Sequence, residues 1–177
     1  MVKTVDSMQN ELKNCIERAL DILYEKDQYL IFHKQEQNTD KTCRVSERGI
    51  VFRFGIYFDS IFRQNISDNY NIDTEYNRNI NSIKEIPCTE DSAVRGYCYP
   101  DLIVHQRGNN DNNLLIIEFK TWWNSNQERD RERVKIYMNP SGPYKYKYGA
   151  VVLLSKDRKT CTIEFKKEWI TVAEKPH

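Results

Sequence analysis

The chain has no excess of either charge: 27 Lys and Arg stand against 26 Asp and Glu, a net of +1 over 177 residues. No global basic field advertises nucleic acid, so any electrostatic footprint for a polyanion must be local. The five cysteines, at 15, 43, 88, 98 and 161, are odd in number and form no Cys-x-x-Cys pair. That spacing offers neither a zinc site nor a disulfide framework. No apolar stretch nears the length of a membrane span, and the first residues lack a signal-peptide-like apolar run. The expected compartment is a reducing cytoplasm, with no membrane partner. No internal repeat or low-complexity segment appears. The length argues for one domain over 1–177, large enough to bury a real core.

What the chain does have is PDLIVHQRGNNDNNLLIIEFK over residues 100–120. Two apolar runs, 102–104 and 114–117, bracket residues that tolerate positive φ in tight turns. With Asn109-Asn110 as the loop of a hairpin, paired positions sum to 219. Asp101 then lies opposite Glu118, and Lys120 leaves from the same face because side chains alternate with period two. Both faces of the two runs are apolar, the pattern of central strands covered on both sides. Two carboxylates placed there repel each other and suffer desolvation, a cost most simply offset by a cation. An oxygen-rich pair with open positions suits Mg²⁺, with Mn²⁺ as its substitute. The Phe119 carbonyl, between the motif residues, is a further candidate ligand. Lys120 is placed to orient or deprotonate an attacking water, or to counter charge on a phosphate.

Glu-x-Lys by itself is a weak signal, since it occurs at Glu11–Lys13, Glu118–Lys120 and Glu164–Lys166. The first lies on an evident helix, where i and i+2 face apart. The nearest acid upstream of the third, Asp157, falls in an expected turn. Only the middle copy has an acid one hairpin-length upstream at a strand start. The bland alternative is a hairpin with charged ends in solvent.

Around this motif, apolar residues at three- and four-residue spacing predict a helix over about 7–30, a packing or dimer element with no visible chemistry. Residues Lys34–Arg44 read as a loop. A second helix begins at Ser46 with the stripe Ile50, Val51, Phe54, Tyr57, Phe58, Ile61 and Phe62. One turn back, that stripe lands on Glu47. Its carboxylate has two readings: a favourable partner for the helix N-terminus, worth roughly 0.3–1 kcal/mol, or a third acid aimed at the metal. Asn71–Arg78 reads as a strand with Asp73, Glu75 and Asn77 on one face, and 79–99 has no clean period. Of Trp122 and Trp123, one is expected in the core and the other is a candidate for stacking on a base. Residues 128–139 predict a charged helix with internal ion pairs. Tyr144–Tyr148 alternates with Lys145 and Lys147, either an edge strand guarded by lysines or a phosphate-contacting strip. Residues 149–155 predict a buried strand, with 160–165 returning antiparallel.

Pro100-Asp101 followed by Glu118-Phe119-Lys120 resembles the signature of the PD-(D/E)XK nuclease superfamily, the restriction-endonuclease-like fold. Ser46-Glu47-Arg48, Glu75-Tyr76-Asn77-Arg78, Pro100–His105 and Leu114–Glu118 are similar in order to small, standalone, mostly uncharacterised bacterial members. The resemblance implies an α/β fold with an αβββαβ core over about 45–155 and a central mixed sheet flanked by helices. Residues 1–40 would then be an N-terminal helical extension. It implies a Mg²⁺-dependent endonuclease with Asp101, Glu118, Lys120 and Glu47 at the site and DNA as the expected partner. Glu75, Asn77 and Arg78 would border that site. Cutting both strands of a duplex is most simply done by two copies, so a homodimer is an expectation. Two alternatives stand beside it: an RNA-directed endonuclease, and a catalytically inactive nucleic-acid- or protein-binding module of the same fold.

Overall fold

The structure is a computed structural model describing residues 5–31, 46–86, 96–124 and 126–167. The stretch read as a loop, Lys34–Arg44, lies outside the described residues. Helix α1 (Val5–Lys26) carries the expected apolar stripe; Leu12, Cys15, Ile16, Ala19, Leu20 and Leu23 are all essentially inaccessible. A four-residue helix, α2 (Gln28–Ile31), follows. Helix α3 (Glu47–Asn65) begins after Ser46 as anticipated, although the Ser46 side chain makes no capping bond. Its buried stripe Ile50, Val51, Phe54, Phe58 and Phe62 joins that of α1 in one core. The N-terminal helix is thus part of the main core.

The strand expected over Asn71–Arg78 is broken in two. Strand β1 (Asn71–Thr74) stops where Glu75 adopts φ +54°, a left-handed conformation uncommon for a residue with a side chain. Beyond it, β2 (Arg78–Asn79) pairs only with β3 (Ser82–Ile83), and β4 (Glu85–Ile86) with β5 (Gly96–Tyr97). Strands β6 (Leu102–His105) and β7 (Leu115–Lys120) are fully buried, as their unbroken apolar runs demanded. Helix α4 (Gln127–Met138) leads into β8 (Tyr148–Leu153), and β9 (Thr162–Lys166) returns after a short turn around Arg158–Thr160.

The sheet has five strands in the order β1-β6-β7-β8-β9. β6 is antiparallel to both neighbours, β7 and β8 run parallel, and β9 is antiparallel to β8. The fold is therefore α/β with a central mixed sheet between two helical layers. Leu115, Ile117 and Phe119 of β7 face the α1/α3 core; Ile116 faces the second core, built on Val134, Tyr137 and Met138 of α4. Gly149 marks the closest approach of β8 to α4, where a Cβ would collide with Val134 Cγ1 and Met138 Sδ. No described helix is long and apolar enough to cross a membrane.

The hairpin register is the one the arithmetic required. Leu102 pairs with Ile117, Ile103 with Ile116 and Val104 with Leu115. The connection is wider than a two-residue turn, with Gly108 at φ +88° and Asn109 Oδ1 accepting from Asp111 N at 3.1 Å. Tyr144–Lys147 is not an edge strand. It is an irregular approach to β8, a central strand, with bends at Tyr144 and Lys147, Tyr144 and Tyr146 buried and Lys145 at φ +52°.

Candidate active site

Strand β6 ends its pairing at Leu102, so the last residues of β7 have no strand on that side. Asp101 fills the gap: its Oδ2 accepts the Phe119 N–H at 2.7 Å. In a strand the N–H and C=O of one residue leave on the same side. The Phe119 carbonyl therefore faces the same gap. Glu118 projects from β7 towards α4 and is wholly buried, and neither of its carboxylate oxygens has a hydrogen-bond partner. Its charge partner is the Arg133 guanidinium, Nη1 at 3.1 Å from Oε2. Lys120, two residues on and 8% exposed, turns to the same layer, where Nζ lies 2.8 Å from Asp130 Oδ2. Arg133 and Asp130, one turn apart on α4, approach to 4.0 Å and link the two pairs.

Glu47 reaches the site from the first turn of α3. Its Oε2 accepts the Thr121 N–H at 3.0 Å, tying the helix start to the end of β7. It lines one cavity, of about 280 Å³, with Asp101, Arg133, Arg48, Glu75 and Arg129. Arg48 and Glu75 pair at 2.9 Å across this rim. The left-handed Glu75 is held by its N–H, which donates to the Pro100 carbonyl at 2.9 Å.

Burial pushes the Asp101 carboxyl up from an ordinary 3.8 to about 6, against the downward pull of the Phe119 N–H and Arg133; Glu47 and Asp130 reinforce the rise. Burial, then the neighbouring Asp101 charge, hold Glu118 well above the usual carboxylate range, with Arg133 opposing. Four carboxylates (Glu47, Asp101, Glu118, Asp130) face two cations, Arg133 and Lys120. Fully ionised, these six groups carry a net charge of −2, which Arg48, Arg129 and Glu75 on the cavity wall reduce to −1. Hard oxygen donors with that deficit fit a divalent cation such as Mg²⁺. Asp101, Glu118 and the Phe119 carbonyl would hold it, with water completing the shell. Among the described residues no group of three or more His, Cys, Asp or Glu could hold a metal ion, so such a cation would rest on two carboxylates, backbone and water.

Of the residues the sequence marked, Asp101, Glu118, Glu47 and Glu75 come together and Lys120 adjoins them. Asn77 and Arg78 do not line the cavity, because the chain leaves the sheet at Glu75. Trp122 and Trp123 meet edge to face at 4.3 Å and pack, half-buried, against the α1/α3 core. Lys145 and Lys147 precede Tyr148, which pairs with Leu115 at the far end of β7. That is about 17 Å from Lys120 at strand rise. The rejected Glu164 sits on β9 and takes a bidentate bond from Arg131.

Two residues were missed, Asp130 and Arg133. The α4 stripe Val134, Tyr137 and Met138, extended back one turn, lands on both. The same step on α3 reached Glu47; on α4 the surrounding charges made a solvated face the simpler reading.

No family model matches the chain, and no curated protein matches it. Among solved structures it is similar to SSO0001, at 14% identity and a TM-score of 0.36, over 92% of this chain and 68% of that one. At that TM-score the likeness carries no argument about this chain.

Proposed function

We propose that the chain is a metal-dependent endonuclease that hydrolyses phosphodiester bonds, with DNA as its substrate. One observation carries the reading. Glu118 is a fully buried carboxylate without a hydrogen-bond partner, set beside Asp101 at the one place where β7 has lost its neighbour on the β6 side. Arg133 offsets its charge, but its hydrogen-bonding capacity is unmet, a cost that a bound cation would relieve. The element order supports the finer reading of the fold: with the short pairs β2–β3 and β4–β5 set aside as an insertion, α3, β1, β6, β7, α4 and β8 run as helix, three strands, helix and strand.

When bound, Mg²⁺ supplies a lowered pKa for water and positive charge for the phosphorane-like transition state. The remaining work belongs to the chain. Asp101 is oriented by the Phe119 N–H, and Glu118 is locked by its burial in β7. Asp130 aims the Lys120 ammonium, which orients the attacking water or counters charge on the scissile phosphate. Arg133 compensates Glu118 and, with Arg48 and Arg129 on the cavity wall, offers positive charge to the phosphate backbone.

The test sets wild type against Asp101→Ala and Lys120→Ala on single- and double-stranded DNA and RNA, with Mg²⁺, Mn²⁺ or EDTA. Wild type cleaves with metal only, and both variants lose at least two orders of magnitude with their fold intact. Full activity in either variant overturns the assignment.

A second reading is favoured by the ion pairs themselves. Arg133 already serves Glu118 and Asp130 already engages Lys120, an arrangement a metal-free binding module would also adopt. Mn²⁺ titration followed by electron paramagnetic resonance separates the two. Binding that is lost in Glu118→Gln supports the nuclease; no binding in wild type supports the module.

A further inference from the structure

The stretch that delivers Asp101 alternates in a way the triad does not require. Over 96–101 it reads Gly-Tyr-Cys-Tyr-Pro-Asp, with Cys98 and Pro100 buried. Tyr97 is 64% exposed and Tyr99 45% exposed. Large aromatic rings at two consecutive outward positions, both on the wall of the carboxylate cavity, are an unusual use of surface. Neither ring meets another aromatic ring among the described residues. Their backbone is nevertheless fixed: Tyr97 pairs with Glu85, the Cys98 N–H donates to the Lys84 carbonyl at 3.0 Å, and the Tyr99 carbonyl accepts from Arg133 Nη2 at 2.8 Å. Arg133 is also the charge partner of Glu118, so this platform is bolted to the site. Arg129, exposed on the same wall, makes no ion pair among the described residues.

We infer that Tyr97 and Tyr99 form a stacking platform, making the ligand of this site a single-stranded or locally unpaired nucleic acid. A base presents its π-face to a side chain only when it has left its stack; in a duplex both faces are covered. Two rings two residues apart, about 6–7 Å along an extended chain, suit successive splayed bases, while Arg129 takes the intervening phosphate. The inference rests on the endonuclease reading only in taking nucleic acid as the ligand.

The test is fluorescence anisotropy of the full chain in EDTA, so that no cleavage can occur, with labelled 12-mers of single-stranded DNA, single-stranded RNA and duplex DNA. Single strands are expected to bind at least tenfold more tightly than the duplex. Tyr97→Ala and Tyr99→Ala should each weaken single-strand affinity about tenfold, while Tyr97→Phe and Tyr99→Phe retain it. Duplex affinity should stay as it was, and thermal melts should show the variants folded. The DNA and RNA arms show which sugar the platform accepts. Equal affinity for duplex and single strand, or folded alanine variants that bind like wild type, overturn the inference. Tyrosine-dependent binding without Mg²⁺-dependent cleavage would sink the nuclease reading and leave this one standing. Cleavage of duplex that is indifferent to both tyrosines would do the reverse.

Discussion

In the metal-free protein at neutral pH, Asp101→Asn should be more stable than wild type. The Asp101 carboxyl rises from 3.8 to about 6 on folding, chiefly through burial. At 1.36 kcal/mol per unit this corresponds to about 3 kcal/mol. The sign follows from the direction of the shift. A carboxyl that binds its proton more tightly when folded contributes its stability in full below the unfolded value, near pH 3.8. That stability is lost as pH rises through about 6. Glu118 is shifted the same way and adds to the loss. Asn keeps an oxygen to accept the Phe119 N–H and has no proton to lose, so its stability does not follow this curve. Urea denaturation in EDTA between pH 4 and 7.5 should show the two proteins close at pH 4 and separated by up to about 3 kcal/mol at pH 7.5. A chain of this size translates that into roughly 6–12 °C of melting temperature. Mg²⁺ at a hundred times its dissociation constant should return about 2.7 kcal/mol to wild type and much less to the variant. A difference that stays flat across this pH range would refute the claim that the carboxyl is strained by burial.

Removing the opposing charge should act the other way. Arg133→Met leaves Glu118 buried without its cation and should cost about 3–5 kcal/mol in denaturation at pH 7, with much of the loss recovered in the Arg133→Met/Glu118→Gln double variant. Gly149→Ala forces a Cβ into Val134 and Met138 and should destabilise by about 1–3 kcal/mol, read from the urea midpoint. Glu164→Gln and Lys166→Gln should cleave nucleic acid like wild type in a gel assay. Glu164→Gln alone should lose a few tenths to 1 kcal/mol with the Arg131 pair.

How much could be read beforehand varied with how local the cause was. The β6–β7 register was legible because two apolar runs of fixed parity leave few alternatives once Asp101 and Glu118 bound them. Helices α1, α3 and α4 and strands β6 to β9 followed from their period and apolar runs; α2 and the short pairs β2–β3 and β4–β5 did not. Glu75 was misread as mid-strand, because nothing in its side chain announces a left-handed backbone held by the Pro100 carbonyl. For the tryptophans, sequence does not tell which of two adjacent indoles packs on the core, and both do, each half-buried. Arg133 lies 15 positions beyond Glu118 in a helix crowded with charge. Only the packing of α4 onto β7 shows that two of those charges, Asp130 and Arg133, turn inward.

Strand β7 sorts its residues between two helical layers. Phe119 meets Phe54 of α3 with ring centroids 4.9 Å apart, while Glu118 and Lys120 turn to α4. One strand thus couples a mechanical side to a chemical side. Drift in α1 and the apolar stripe of α3 should register as altered melting temperature with turnover per folded molecule preserved. Drift at the exposed positions Glu128 and Arg129 of α4 should, on the proposed function, register as altered turnover in molecules that still melt normally, while drift at Asp130 or Arg133 should register in both. The exposed positions of α4 are thus the part of that chemical side a related chain could rewrite without first rebuilding the fold.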